Sequence, residues 1–197
     1  MASVLAISAI ICVLLATVAT IVSFSTPNWI EFASKSTDEL CKCSQCDCGL
    51  WLHCTGGSLS STANLDNCKW FFADDFFIEK SLPDWFKAVQ GLMSCALAST
   101  LLALLIGLFS LCCSCRSCNP NMAAGAFANL TFLLLAVAVI LYGVQAHRQH
   151  NAMVLLEQNS TYPVYGWSYW VGVGACAMSL LSSLLYFCIG RKDDYEM

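Results

Sequence analysis

Residues 41–68 read CKCSQCDCGLWLHCTGGSLSSTANLDNC, with Gly49, Leu50 and Trp51 at the centre. Cys54 follows the tryptophan by three residues and Cys68 lies fourteen further on. This is the one long polar, cysteine-dense segment in a chain that is otherwise mostly apolar. Runs rich in aromatic residues at Asn28–Phe32, Gly49–Cys54 and Cys68–Phe72 are bounded by Gly, Ser, Asn and Asp. Such runs predict short strands and a small antiparallel sheet.

Around this segment the composition is that of a membrane protein. The 197 residues are 58% hydrophobic and 11% charged, with a mean hydropathy of +0.66, where a soluble domain carries roughly a quarter charged residues. Four apolar stretches reach the ~20 residues a spanning helix needs. They predict a single domain over 1–197. Helix 1 covers about 4–24, the first loop 26–84, and helix 2 85–111. A short loop covers 112–121, helix 3 122–145, the second loop 146–164, and helix 4 165–189, with a tail at 190–197. The first stretch is too long and lacks the basic start of a signal peptide, and Pro27 ends it. The pair Trp85-Phe86 and the residues Trp167, Tyr169 and Trp170 are expected at the lipid–water boundary. Ala123, Ala124, Gly125, Ala126 and Ala128 give helix 3 a face for close helix contact. The net charge of −4 offers no clustered positive excess for nucleic acid.

Four spans place both termini on one side. With the long first loop discounted, Arg116, Arg191 and Lys192 stand against Arg148, which favours cytoplasmic termini. The sequon Asn159-Ser160-Thr161 in the second loop is a candidate glycosylation site on the outer side; Asn129-Leu130-Thr131 lies inside helix 3 and is silent. Clustered cysteines in the first loop also fit an oxidising compartment.

The first loop holds Cys41, Cys43, Cys46, Cys48, Cys54 and Cys68, and six cysteines pair in 15 ways. Cys54 and Cys68 flank a Gly- and Ser-rich turn between two strand candidates, where a cross-strand bridge is natural. Cys41, Cys43, Cys46 and Cys48 read either as two further disulfides or, with His53, as a zinc knuckle; an extracellular loop favours disulfides, and no metal is expected. Cys43 and Cys46 also have the spacing of a thiol redox centre, but Cys115 and Cys118, which share that spacing, fall on the opposite side of the membrane. No catalytic constellation or cofactor site is evident, so an enzyme is not expected. Cys112, Cys113, Cys115 and Cys118, just past helix 2, are candidate palmitoylation sites. Cys12, Cys95, Cys176 and Cys188 lie in apolar helix and read as packing residues.

Trp29, then Gly49-Leu50-Trp51, then Cys54 and Cys68 together resemble the W…GLW…C…C signature of claudins. That signature is shared with peripheral myelin protein, the epithelial membrane proteins and the stargazin-like channel subunits. The resemblance implies a four-transmembrane-helix left-handed bundle with a small extracellular antiparallel β-sheet. It also implies a Cys54–Cys68 disulfide and a sheet anchored near the membrane by Trp29 and Trp51. Three features depart from the pattern. The C-x-C-x-x-C-x-C insert is not a usual claudin feature. Gln90, within Ala88–Met93, stands in the neighbourhood where claudins usually carry an arginine. The chain ends Asp194-Tyr195-Glu196-Met197 rather than in a tyrosine-valine ligand for PDZ domains.

The function implied is that of a plasma-membrane protein of cell–cell junctions. It would oligomerise with itself or other claudin-like proteins in cis and in trans to form or regulate a paracellular barrier or pore. Between Asn28 and Asp84 nine carboxylates face four lysines, a balance that would favour cations if those groups line a pore. Phe71-Phe72 and Phe76-Phe77 are either an adhesion patch or packing under the sheet or against the bilayer. The alternatives are an auxiliary subunit of an ion channel or receptor, or a membrane adhesion protein of the peripheral myelin type. A tetraspanin is excluded, because its large cysteine-rich loop precedes the last helix rather than the second.

Overall fold

The computed structural model describes residues 2–31, 46–55, 68–71, 82–112, 119–154 and 164–195. Four helices dominate: α1 (Ala2–Ser25), α2 (Asp84–Cys112), α3 (Pro120–Val154) and α4 (Trp167–Tyr195). Each contains a stretch long and apolar enough to cross a membrane: Val4–Ser25, Asp84–Ser110, Pro120–Arg148 and Trp167–Arg191. Five short strands accompany them: β1 (Ile30–Glu31), β2 (Cys46–Cys48), β3 (Leu52–Thr55), β4 (Cys68–Trp70) and β5 (Val164–Tyr165). They form one sheet in the order β4-β3-β2-β1-β5, antiparallel at each pairing.

Local chemistry sets the helix ends. At the end of α1 the Thr26 amide and hydroxyl both donate to the Val22 carbonyl, and Pro27 then supplies no further amide donor. Before α2 the Pro83 carbonyl accepts from the amides of Phe86 and Lys87, and Asp84 in the first turn complements the helix dipole. Asn119 caps α3 and Pro120 fills its first position, the arrangement favoured at a helix start. Two helices run further than hydropathy indicates. α3 continues to Val154, so His147 and Arg148 lie on helix rather than in the second loop. α4 runs through Gly190 to Tyr195 into the expected tail. Charge ends an apolar span but does not end a helix, because Ala, Arg, Gln, Met and Lys are adequate helix formers.

The chain divides into two compact units. The first comprises Met1–Ile21, Leu92–Val137 and Gly172–Met197. Its core joins all four helices through Ala9 and Val13 of α1, Ala103 of α2, Ala124 and Ala128 of α3, and Tyr186 and Ile189 of α4. Small residues dominate, which lets helix backbones approach where lipid supplies no hydrophobic drive between them. Gly107 and Gly125 both abut Tyr186. Hydroxyl and thiol bonds close a ring around the unit. Thr17 of α1 meets Thr100 of α2 at 3.0 Å, and Ser99 of α2 donates to the Phe127 carbonyl of α3 at 3.0 Å. Cys176 of α4 reaches the Phe132 carbonyl of α3 at 3.8 Å, and Ser182 of α4 donates to the Ala9 carbonyl of α1 at 3.3 Å. Thr17 already gives its one proton to the Val13 carbonyl, so Thr100 is the donor to Thr17. Outward the helices are apolar, with Ile11 and Val18, Leu105 and Phe109, Val137 and Ile140, and Leu181 and Leu184 exposed, as lipid contact requires.

The second unit comprises Val22–Gly91 and Ala138–Val171 and contains the sheet. The strand alternation gives the sheet two faces. Ile30, Cys48, His53 and Lys69 fall on one by register; Asp47, Cys54 and Cys68 fall on the other. Phe71, two residues beyond Lys69, continues the first face. Ile30, Cys48, His53 and Phe71 are buried, while Lys69 at the edge is exposed. β2 and β5 are absent from the sequence-based strands. Cys46–Cys48 carries no aromatic or branched residue to announce a strand, and β5 has only two residues.

Candidate functional site

The residues singled out in the sequence converge on the seat between the sheet and the helix ends of the second unit. Trp29 is fully buried. Its indole Nε1 donates to the Ser23 carbonyl at 2.7 Å, its amide donates to the Cys48 carbonyl at 3.2 Å, and its own carbonyl accepts from the Gly166 amide at 3.0 Å. Trp29 therefore joins α1, β2 and the start of α4, and its one side-chain donor is satisfied, as a buried indole requires. The ring meets Tyr142 of α3 edge-on at 4.7 Å and Tyr169 of α4 at 5.9 Å. Both Trp29 and Phe86 are enclosed by protein. Trp167 and Trp170 are exposed, as boundary residues are, while Tyr169 is half-buried within the aromatic cluster.

Each residue of Gly49-Leu50-Trp51 has a distinct reason to be there. A Cβ on Gly49 would lie 2.5 Å from the Pro27 Cα and 2.6 Å from the Thr26 carbonyl oxygen, so only glycine lets this turn lie against the end of α1. Leu50 is fully buried, and its carbonyl accepts from the Gln90 side chain at 2.7 Å. Trp51 is half-buried and packs on Phe24 at 5.3 Å, while its carbonyl accepts from the Phe71 amide at 3.0 Å. Gly166 is similarly constrained, since a Cβ there would strike the Asn28 carbonyl.

The Cys54–Cys68 disulfide is present and links directly opposed residues of β3 and β4. It closes a segment separated by 14 residues in sequence, a closure worth on the order of 3 kcal/mol. Cys48 is disulfide-bonded as well and is fully buried. Cys46 lies in β2, and Cys112 ends α2. Cys41, Cys43, Cys113, Cys115, Cys118 and Asn159 lie outside the described residues, as do Phe72, Phe76 and Phe77. Phe71 packs under the sheet, stacked on His53 at 5.7 Å and edge-on to Phe86 at 6.2 Å. Among the described residues no group of His, Cys, Asp or Glu could hold a metal ion. Cys12, Cys95, Cys176 and Cys188 are free thiols.

The chain matches the family model described as PMP-22/EMP/MP20/Claudin tight junction over residues 14–188. The chain belongs to this family. No curated protein matches it. Claudin-family membership accounts for the signature residues, yet the arrangement that holds them depends on several the signature omits. Tyr142 and Tyr169 bracket Trp29, and Phe86 contacts Phe71 and Tyr142. Tyr165 stacks on Tyr169 at 4.7 Å and donates to the Gly143 carbonyl at 2.8 Å; burial raises its pKa above the ordinary value of 10.0. A tyrosine inside an apolar helix carries no distinguishing sequence signal, so Tyr142 does not stand out in the sequence, while Phe86 and Tyr169 stand out there only as boundary aromatics. In this claudin-family chain Asn28 also donates to the Asp47 carboxylate at 3.1 Å, tying the start of β1 to β2.

Proposed function

We propose that the protein is a claudin-type junction protein of the plasma membrane, with cytoplasmic termini and the sheet on the extracellular side. Its copies would associate side by side and across apposed membranes to form or regulate a paracellular barrier or cation-preferring pore. The role is structural rather than enzymatic. The observation that carries this reading is a sheet seated on buried Trp29, Leu50 and Phe71 in a claudin-family chain, with the acidic residue Asp47 on the face turned away from that seat. Asp47 lies opposite Glu31 in the β1–β2 register, within a segment of nine carboxylates and four lysines. Fixed carboxylates along a narrow passage favour cations. On this reading one of Cys41, Cys43 and Cys46 pairs with Cys48 and the other two form one further disulfide, Asn159 is available for glycosylation, and Cys112, Cys113, Cys115 and Cys118 are available for palmitoylation on the inner side.

Expression in epithelial cells that lack junction strands tests this directly. Immunolabel concentrated at cell contacts, with continuous strands in freeze-fracture images, is the expected result. Diffuse surface label without strands overturns it, and co-purification with a channel whose gating then changes would favour the auxiliary-subunit reading.

A further inference from the structure

His53 lies in β3 with its side chain on the buried face of the sheet, 9% exposed. Its ring stacks on Phe71 with an interplanar angle of 16°, and Phe71 in turn contacts Phe86 of α2. Nδ1 of His53 is buried and has no hydrogen-bond partner among the described residues. Among the described residues the charged groups of the surrounding elements offer a proton no compensation. Lys69 stands directly across on β4 and repels a second positive charge. On β2 the residue opposite is Cys48, locked in a disulfide, while Asp47 falls on the opposite face and is engaged with Asn28. On α2 Asp84 and Lys87 flank the Trp85-Phe86 pair and are exposed. A neutral imidazole suits this pocket; an imidazolium would be a charge on an apolar face, beside a like charge and without an acceptor at Nδ1.

We propose that proton uptake by His53 loosens the sheet from the aromatic seat formed by Phe71 and Phe86, so that this part of the fold is acid-sensitive. Burial first, and the Lys69 charge second, hold the His53 pKa below its ordinary value of 6.5. Between that lowered value and 6.5 the unfolded chain binds more protons than the folded one. Stability is therefore full above 6.5 and is lost as the pH falls below it. Carboxylates titrate lower, near pH 4, which separates their effect from that of His53.

The test uses the full chain in detergent or nanodiscs, melted at about pH 7.5 and about pH 5.5, either side of the ordinary histidine value. The wild type is expected to lose roughly 2–4 °C or more on acidification, His53→Gln to lose much less, and Lys69→Gln, altered at an exposed position, to lose less than the wild type. Histidine ring resonances of the wild type, assigned against the other two histidines, are expected to give His53 a midpoint below 6.5, raised by Lys69→Gln. An equal loss in wild type and His53→Gln overturns the proposal. So does a His53 midpoint at or above 6.5, which decides the matter even if His53→Gln fails to fold.

Discussion

Gln90 of α2 donates a 2.7 Å hydrogen bond from its side-chain Nε2 to the carbonyl oxygen of Leu50. Both residues are buried, and the bond ties the start of a membrane-length helix to the Gly49-Leu50-Trp51 turn. A neutral side-chain donor thus reaches a backbone acceptor in the signature turn. A neutral amide avoids burying a charge, which is costly without a counter-ion.

Gln90→Leu removes the donor and leaves the Leu50 carbonyl buried with that bond unmade. The expected cost is about 1–3 kcal/mol, read as a fall of roughly 2–4 °C in melting temperature per kcal/mol for a chain of this size. A melting temperature equal to the wild type would show that the bond contributes nothing.

Gly49→Ala brings a Cβ against the backbone at Thr26 and Pro27, and backbone cannot swing aside as a side chain can. The expected loss is at least about 1–3 kcal/mol. Surface expression and melting temperature check it, and both should fall together.

Cys54→Ser and Cys68→Ser should each cost on the order of 3 kcal/mol, and the double variant should cost about as much as either single one, because all three lack the same cross-link. Thermal melts of the three variants measure this non-additivity. Additive losses would mean the two cysteines act through different partners.

Tyr186 is buried, its hydroxyl has no hydrogen-bond partner among the described residues, and that hydroxyl fills the space where a Cβ on Gly107 would go. Gly107→Ala alone should destabilise by about 1–3 kcal/mol. Tyr186→Phe should be close to neutral, since a buried hydroxyl without a partner contributes little, and the double variant should recover most of the Gly107→Ala loss. A double-mutant cycle of melting temperatures decides it.

How far the sequence reached depended on the kind of signal each element carries. The spans were legible because four long runs lack charge, and the signature residues because Trp29, Gly49, Trp51, Cys54 and Cys68 stand out against a polar loop. β2 was not legible, since Cys46-Asp47-Cys48 has no strand-like composition and exists as a strand only because β1 and β3 flank it. Trp85-Phe86 looked like a boundary pair, yet Phe86 is enclosed by Phe71 and Tyr142, a contact between residues far apart in sequence. The extensions of α3 and α4 escaped for the opposite reason: hydropathy marks where lipid ends, and the helices continue beyond it. The partner role of Gln90 was hidden because a glutamine in a helix gives no hint of what it reaches.

The most direct measurement is the relative permeability of sodium and chloride, with transepithelial resistance, across monolayers of epithelial cells lacking their own claudins and expressing this chain. The expected result is altered resistance and a preference for sodium that falls in Asp47→Asn while the protein still reaches the contacts. Unchanged resistance and no ion preference, with the protein present at cell contacts, would contradict a paracellular role.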